Sequence, residues 1–210
     1  MEKKYELTDE ILEVGGHVLR RIRALRDFGN VKKGDIGGWI ESEYNLLHDD
    51  DCWVYGNAKV YGNAKVLGDA IVYGNAKVYG NAKVLGDAKV YGDAIVYGDA
   101  IVYGNAEVYG NAKVLGDAIV YGDAIVYGDA IVYGNAIVEK ESDYIVFKNW
   151  WSSGRYFTWT RSNDRWTVGC FYGTGEELIK KAYADSEEKG REYARIVKYV
   201  ESIKSEINKQ

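Results

Sequence analysis

Proline is absent from all 210 residues, and cysteine, histidine and methionine number only two, two and one. Each shortage excludes something. Without proline every residue keeps a backbone N–H to donate, which suits tightly hydrogen-bonded strand ladders better than a loop-rich chain. Two cysteines, Cys52 and Cys170, provide no disulfide framework and no paired-thiol metal site. Both are expected as buried free thiols, Cys52 on an inward repeat position and Cys170 in an apolar run. There is no long apolar run, and Met-Glu-Lys-Lys lacks the hydrophobic core of a signal peptide, so a soluble cytoplasmic chain away from membranes is expected. A net charge of −5 argues against nucleic-acid backbone as a partner. No phosphate-binding glycine loop, dinucleotide fingerprint or H-E-x-x-H motif occurs.

What is present in quantity is one pattern. Fourteen consecutive hexads of V-[YL]-G-[ND]-A-[KIE] run from Val54 to Ile137, with Val138 filling the next position. Sustained repetition at a fixed short period marks a stacked solenoid. Written as A-X-V-Y, each hexad alternates in and out as a short strand does, with Ala and Val inward and X and Tyr/Leu outward. Gly followed by Asn or Asp supplies the corner, because these residues reach left-handed backbone angles at low cost. Three hexads close one triangular coil, and coils stack at roughly 4.8 Å.

This repeat resembles the hexapeptide-repeat family. The resemblance implies a mainly β fold: a left-handed parallel β-helix of about five coils over 54–138. Residues 1–53 are not repetitive and read as the N-terminal cap. HVLRRIRALRDF reads as a strand or a helix, with the strand favoured, and GDIGGWIESEYNLL is a degenerate first coil, since an open coil end exposes apolar core and unpaired backbone. The stretches YELTDE, RIRALRDF, VKKGDIGGWIESE and NLL, followed by CWV, resemble YdcK-like hexapeptide proteins of phages and enterobacteria. Residues 139–210 form a separate α+β module. DYIVF, RYFTWT and RWTVGCF predict a three-stranded meander, and Thr174 to Glu177 a capping box opening a helix. Gly190 is expected to break or bend the helical run before a second helix carrying Tyr193, Val197 and Val200. WSSGRYFTWT and WTVGCFYGT resemble a small phage domain built around GCF-x-G-T.

Chemistry is sparse. Hexapeptide acyltransferases use a histidine base, whereas His17 and His48 both precede the coils, and the related γ-carbonic anhydrases need three coil histidines for zinc. No catalytic residue, metal or cofactor is therefore expected. Arg20, Arg21, Arg23 and Arg26 offer an anion site or a solvated strand face. Outward tyrosines recur every eighteen residues (Tyr55, Tyr73, Tyr91, Tyr109, Tyr127), which predicts stacking between coils. The X positions change character along the rod: Lys65 and Lys83 give way to Ile101, Ile119 and Ile137, flanked by Tyr97, Leu115 and Tyr133. A patch this apolar predicts a self-association surface, with the family resemblance implying a trimer. Trp150, Trp151, Arg155, Trp159 and Trp166 form either a partner surface or a small core. The expected function is a non-enzymatic binding or scaffolding protein. The resemblance implies a phage-encoded chain that modulates a bacterial host process through a host protein. A small-molecule or nucleotide sponge, and a divergent or inactive acyltransferase, stay open.

Overall fold

The computed structural model describes residues 2–207. Two long strands, β1 (Tyr5–Val14) and β2 (His17–Ala24), form an antiparallel hairpin at the N-terminal end, and β3 (Ile36–Ile40) carries its sheet onto the solenoid. Fifteen short strands follow, from β4 (Trp53–Val54) to β18 (Ile137–Val138). They fall into three faces: five strands on each of two, and on the third six rungs that include β3 and continue into the hairpin. The β-solenoid thus has about six turns.

From β4 to β18 each strand is parallel to its neighbour one coil, eighteen residues, away, as Val72 pairs with Val90 and Val90 with Val108, whereas β3 meets β5 at twenty. The bonding repeats three times per hexad: Lys59 N–H donates to Ala76 O at 2.9 Å, Tyr61 N–H to Val78 O at 3.1 Å, and Asn57 N–H to Gly74 O at 3.1 Å. Ala and Val of every hexad are fully buried, because a narrow triangular interior admits only small and β-branched side chains. Corners need glycine for two reasons. Gly92 holds φ +70°, and a Cβ there would meet Gly110 N of the next coil at 3.0 Å. Gly37 and Gly38 have another role: a Cβ on either would clash with Trp53 or Val54, so the pair lets β3 lie against the first coil.

Both ends are sealed by polar side chains that replace a missing coil. At the N-terminal end, fully buried Asn45 accepts from Glu41 N and Ser42 N and donates to Gly62 O and Ala64 O. Lys4, also buried, donates to the carbonyls of Asp49, Asp50 and Cys52. At the other end Thr158 accepts from Ile131 N at 2.9 Å, Ser162 accepts from Ile137 N at 2.7 Å, and the Tyr144 hydroxyl donates to Ile125 O at 3.0 Å. One apolar core runs from Tyr5 through the coils to Tyr144.

The C-terminal module has a second core. Strands β19 (Tyr144–Lys148), β20 (Tyr156–Thr160), β21 (Arg165–Val168) and β22 (Phe171–Gly173) form an antiparallel sheet against α1 (Gly175–Asp185) and α2 (Glu187–Ile207). The expected third strand is two, because Gly169 at φ +59° turns the chain between β21 and β22. That turn also leaves Cys170 exposed, against the expectation of a buried thiol, whereas Cys52 is buried as its repeat position requires. The capping box forms: Thr174 accepts from Glu177 N, and Glu177 accepts from Thr174 N. The helices part at Ser186, whose side chain accepts from Lys189 N, and not at Gly190. Gly190 lies inside α2 because any side chain there would strike Tyr183. Among the described residues no helix is long and apolar enough to cross a membrane.

Candidate functional site

Three surface features bear on function, and the first arises where the hairpin folds back on the coils. The β1–β2 hairpin ends at Gly15 and Gly16, both with positive φ, and the next residue is His17. Pairing of β2 with β3 brings His17 beside Glu41, twenty-four positions along the chain. Nδ1 of His17 lies 3.0 Å from both carboxylate oxygens of Glu41, so it donates, and among the described residues Nε2 has no hydrogen-bond partner. Glu41 also accepts from Gly62 N at 2.7 Å. Burial works against the Glu41 charge, but the bonds from His17 and Gly62 outweigh it and hold its carboxyl below the usual range. His17 and the hairpin tip wall one side of a groove of about 450 Å³ whose floor is Tyr61, Tyr79 and Tyr97 with Asn63 and Asn81. The tyrosines stack at 4.9 and 4.4 Å, and His17 lies 5.0 Å from Tyr61. Their ring faces are spent on one another, so the groove meets mainly hydroxyl edges and ring rims.

The second feature is the column Lys65, Lys83, Ile101, Ile119, Ile137, which the strand register places on one face. Ile101 and Ile119 are half-buried by their column neighbours, while Ile137 is 43% exposed. Tyr97, Leu115 and Tyr133 line the adjoining edge, with Tyr97 and Tyr133 exposed and Leu115 half-buried. The C-terminal module caps the end of this face, with the Tyr172 ring 4.8 Å from Tyr133 and Ser162 accepting from Ile137 N.

The third feature is the loop after β19. Trp150 and Trp151 are 74% and 63% exposed, and Arg155 beside them is also exposed. Trp151 is not loose, since its Nε1 donates to Glu192 on α2 at 2.8 Å. Trp159 and Trp166 do not join them. Cross-strand partners in β20 and β21, both are buried in the module's core, so of the five only Trp150, Trp151 and Arg155 are exposed.

Two of the four arginines are engaged by carboxylates. Arg21 pairs with Glu10, donates to Gly37 O and Gly56 O and stacks on Trp39, and Arg23 pairs with Glu6. Exposed Arg20 stands next to them as solvated surface. At the corners the carboxylates act as acceptors between coils, as in Asn81 to Asp99 at 3.0 Å and Asn105 to Asp123 at 2.8 Å. Among the described residues no three metal-ligating side chains gather in one place.

The His17–Glu41 pair was missed in sequence because it depends on a fold-back of the hairpin; the Val-Gly-Gly-His turn signal was the only local clue. Comparison with known proteins places the repeats in context. Residues 88–104, 120–134 and 124–140 match the YdcK Beta solenoid repeat family. The uncharacterized acetyltransferase YdcK of Escherichia coli (strain K12) is 45% identical over 38 residues, which cover 18% of this chain and 12% of that protein.

Proposed function

We propose that this chain is a non-catalytic binding and scaffolding solenoid, which self-associates through its late coils and holds a partner at its C-terminal module. The observation that carries this reading is an asymmetry along the rod. The early coils present Lys65 and Lys83 on a face where the late coils present isoleucine, and the exposed Trp150 and Trp151 lie beyond that same end. Apolar surface grouped this way marks an interaction site. A bacterial host protein, in the cytoplasm of a cell carrying the phage, is the partner that the phage resemblance implies. The test compares the intact protein with Trp150→Ala/Trp151→Ala as bait in a bacterial lysate. A protein retained by the first and lost by the second supports the reading; identical retention by both sinks it.

A second reading, acyl transfer, rests on a specific geometry together with the relative's name. Glu41 fixes the His17 tautomer, leaving Nε2 able to take a proton from an acceptor hydroxyl or amine in the groove. Under this reading acetyl-CoA is consumed in the presence of an acceptor, and His17→Asn abolishes the turnover while Glu41→Gln lowers it. Under the binding reading no turnover above blank is expected.

A further inference from the structure

One tyrosine column ends in an open ring face. In the run Tyr73, Tyr91, Tyr109, Tyr127 the rings lie nearly parallel, with centroids 4.6, 4.8 and 5.6 Å apart, so Tyr91 and Tyr109 spend both π faces on neighbours. Tyr127 is the last of them. Among the described residues its one stacking partner is Tyr109, on the side away from the C-terminal end, and the residue is 48% exposed. That side borders a cleft of about 400 Å³ between the last coil and the module, whose other walls include Asp129, Glu141, Tyr144 and Tyr156.

The walls are fixed before any ligand arrives. Tyr144 is buried and anchored through its hydroxyl to Ile125 O, and the Asp129 carboxylate is held by Asn111, which donates to it at 3.2 Å. Among the described residues Glu141 stands exposed without a partner, and none of the residues lining the cleft is basic. The ring of Tyr156 already carries one ammonium: Lys148, its cross-strand neighbour, places Nζ 3.8 Å from the ring centre. Aromatic faces and carboxylates facing one recess suit a single ligand chemistry. The ring quadrupole attracts a cation whose weak hydration lets it shed water, and the carboxylates supply the countercharge. The volume fits a head group with a short stem and is too small for a folded partner.

We propose that this cleft binds an organic ammonium ion, with the charge over the open face of Tyr127 and within reach of Asp129 and Glu141. The proposal is independent of both readings above. It is tested on the full chain by following tyrosine ring resonances while titrating choline, and separately 3,3-dimethyl-1-butanol, which has the same shape without the charge. Spermidine as a third arm distinguishes a compact quaternary head from a linear polyamine, and binding of either supports the assignment. Choline is expected to bind about tenfold more tightly than the neutral isostere. Tyr127→Leu should weaken choline about tenfold, with the coils intact because Leu67, Leu85 and Leu115 occupy equivalent outward positions. Glu141→Gln, on an exposed turn that the fold does not need, should weaken it several-fold. Equal affinity for choline and its isostere, no effect of Glu141→Gln, or no binding of either cation at millimolar concentration would overturn the proposal.

Discussion

The late-coil surface gives the sharpest test of the proposed assembly. Replacing Ile101 and Ile119 with lysine rebuilds on the late coils what the early coils already carry, since Lys65 and Lys83 pair directly with each other in the same column. The fold therefore accepts the change, with a cost within about 1 kcal/mol from like charges one coil apart. An interface does not accept it. Full burial of an isoleucine is worth about 2–3 kcal/mol, and these two are half-covered by their neighbours, so docking removes the remaining half of each. That amounts to about 2 kcal/mol per subunit, or about 6 kcal/mol over a trimer, roughly four orders of magnitude in the association constant. Unpaired ammonium groups in the contact would add to the loss. Light scattering at micromolar concentration should report an oligomer for the wild type and a folded monomer for Ile101→Lys/Ile119→Lys. Thermal unfolding of the isolated variant checks that the coils survive. A wild type that is monomeric at high micromolar concentration, or a variant with unchanged mass, would refute the argument that this face is covered by a second copy.

Other outcomes follow from single residues. Asn45→Ala removes four hydrogen bonds at a fully buried site and should cost about 3–5 kcal/mol in urea unfolding, more than any exposed corner asparagine. Thr158→Val takes the acceptor from Ile131 N at the open coil edge and should cost about 1–2 kcal/mol, loosening the last coil in hydrogen exchange. Asp164 is partly desolvated, which raises its pKa, yet Lys204 and Trp159 hold it below its ordinary 3.8. A depressed folded value stabilises above the unfolded one and fades as pH falls through it. The wild type should therefore exceed Asp164→Asn in melting temperature at pH 7, and the gap should close toward pH 3. Residues 139–210 expressed alone should give a helical circular dichroism spectrum, because the module has its own core; a random-coil spectrum would show that the last coil is required.

The coils were legible because their physics is local. A hexad that alternates inward and outward and ends in Gly-Asn or Gly-Asp fixes strand, corner and register at once, and the structure repeats that assignment from coil to coil without a slip. The capping box at Thr174 was legible for the same reason, since its two hydrogen bonds close within four residues. Errors came where a distant neighbour decides. Gly190 looks like a helix breaker by propensity, but the space it must leave belongs to Tyr183, seven residues earlier. RWTVGCF reads as one strand by composition, and only the positive φ of Gly169 divides it. The tryptophans show the limit in one residue type. Trp159 and Trp166 belong to paired, buried strands and Trp150 and Trp151 to a loop, a distinction that rests on which strands pair and not on the residues themselves.

The sites were less legible than the fold, and for a physical reason. A solenoid repeats its surface, so anything non-repeating must come from its two ends, where dissimilar sequence is laid against the last available coil. The His17 groove forms because a hairpin returns on the first coils, and the Tyr127 cleft forms because a sheet seals the last one. Neither junction has a sequence motif, since its residues lie on separate segments: His17 and Glu41 with Tyr61, Tyr127 and Asp129 with Glu141 and Tyr156. Within the coils the same tyrosines are mortar, as where Tyr91 and Tyr109 are each stacked on the rings above and below. Where stacking stops, Tyr127 keeps a free face, so the element that makes the rod stable also yields a recognition surface at its end. The capping modules therefore do more than protect open edges. They enclose places where the repeat ends, and substitutions at those junctions should alter binding while mid-rod substitutions of the same type alter stability.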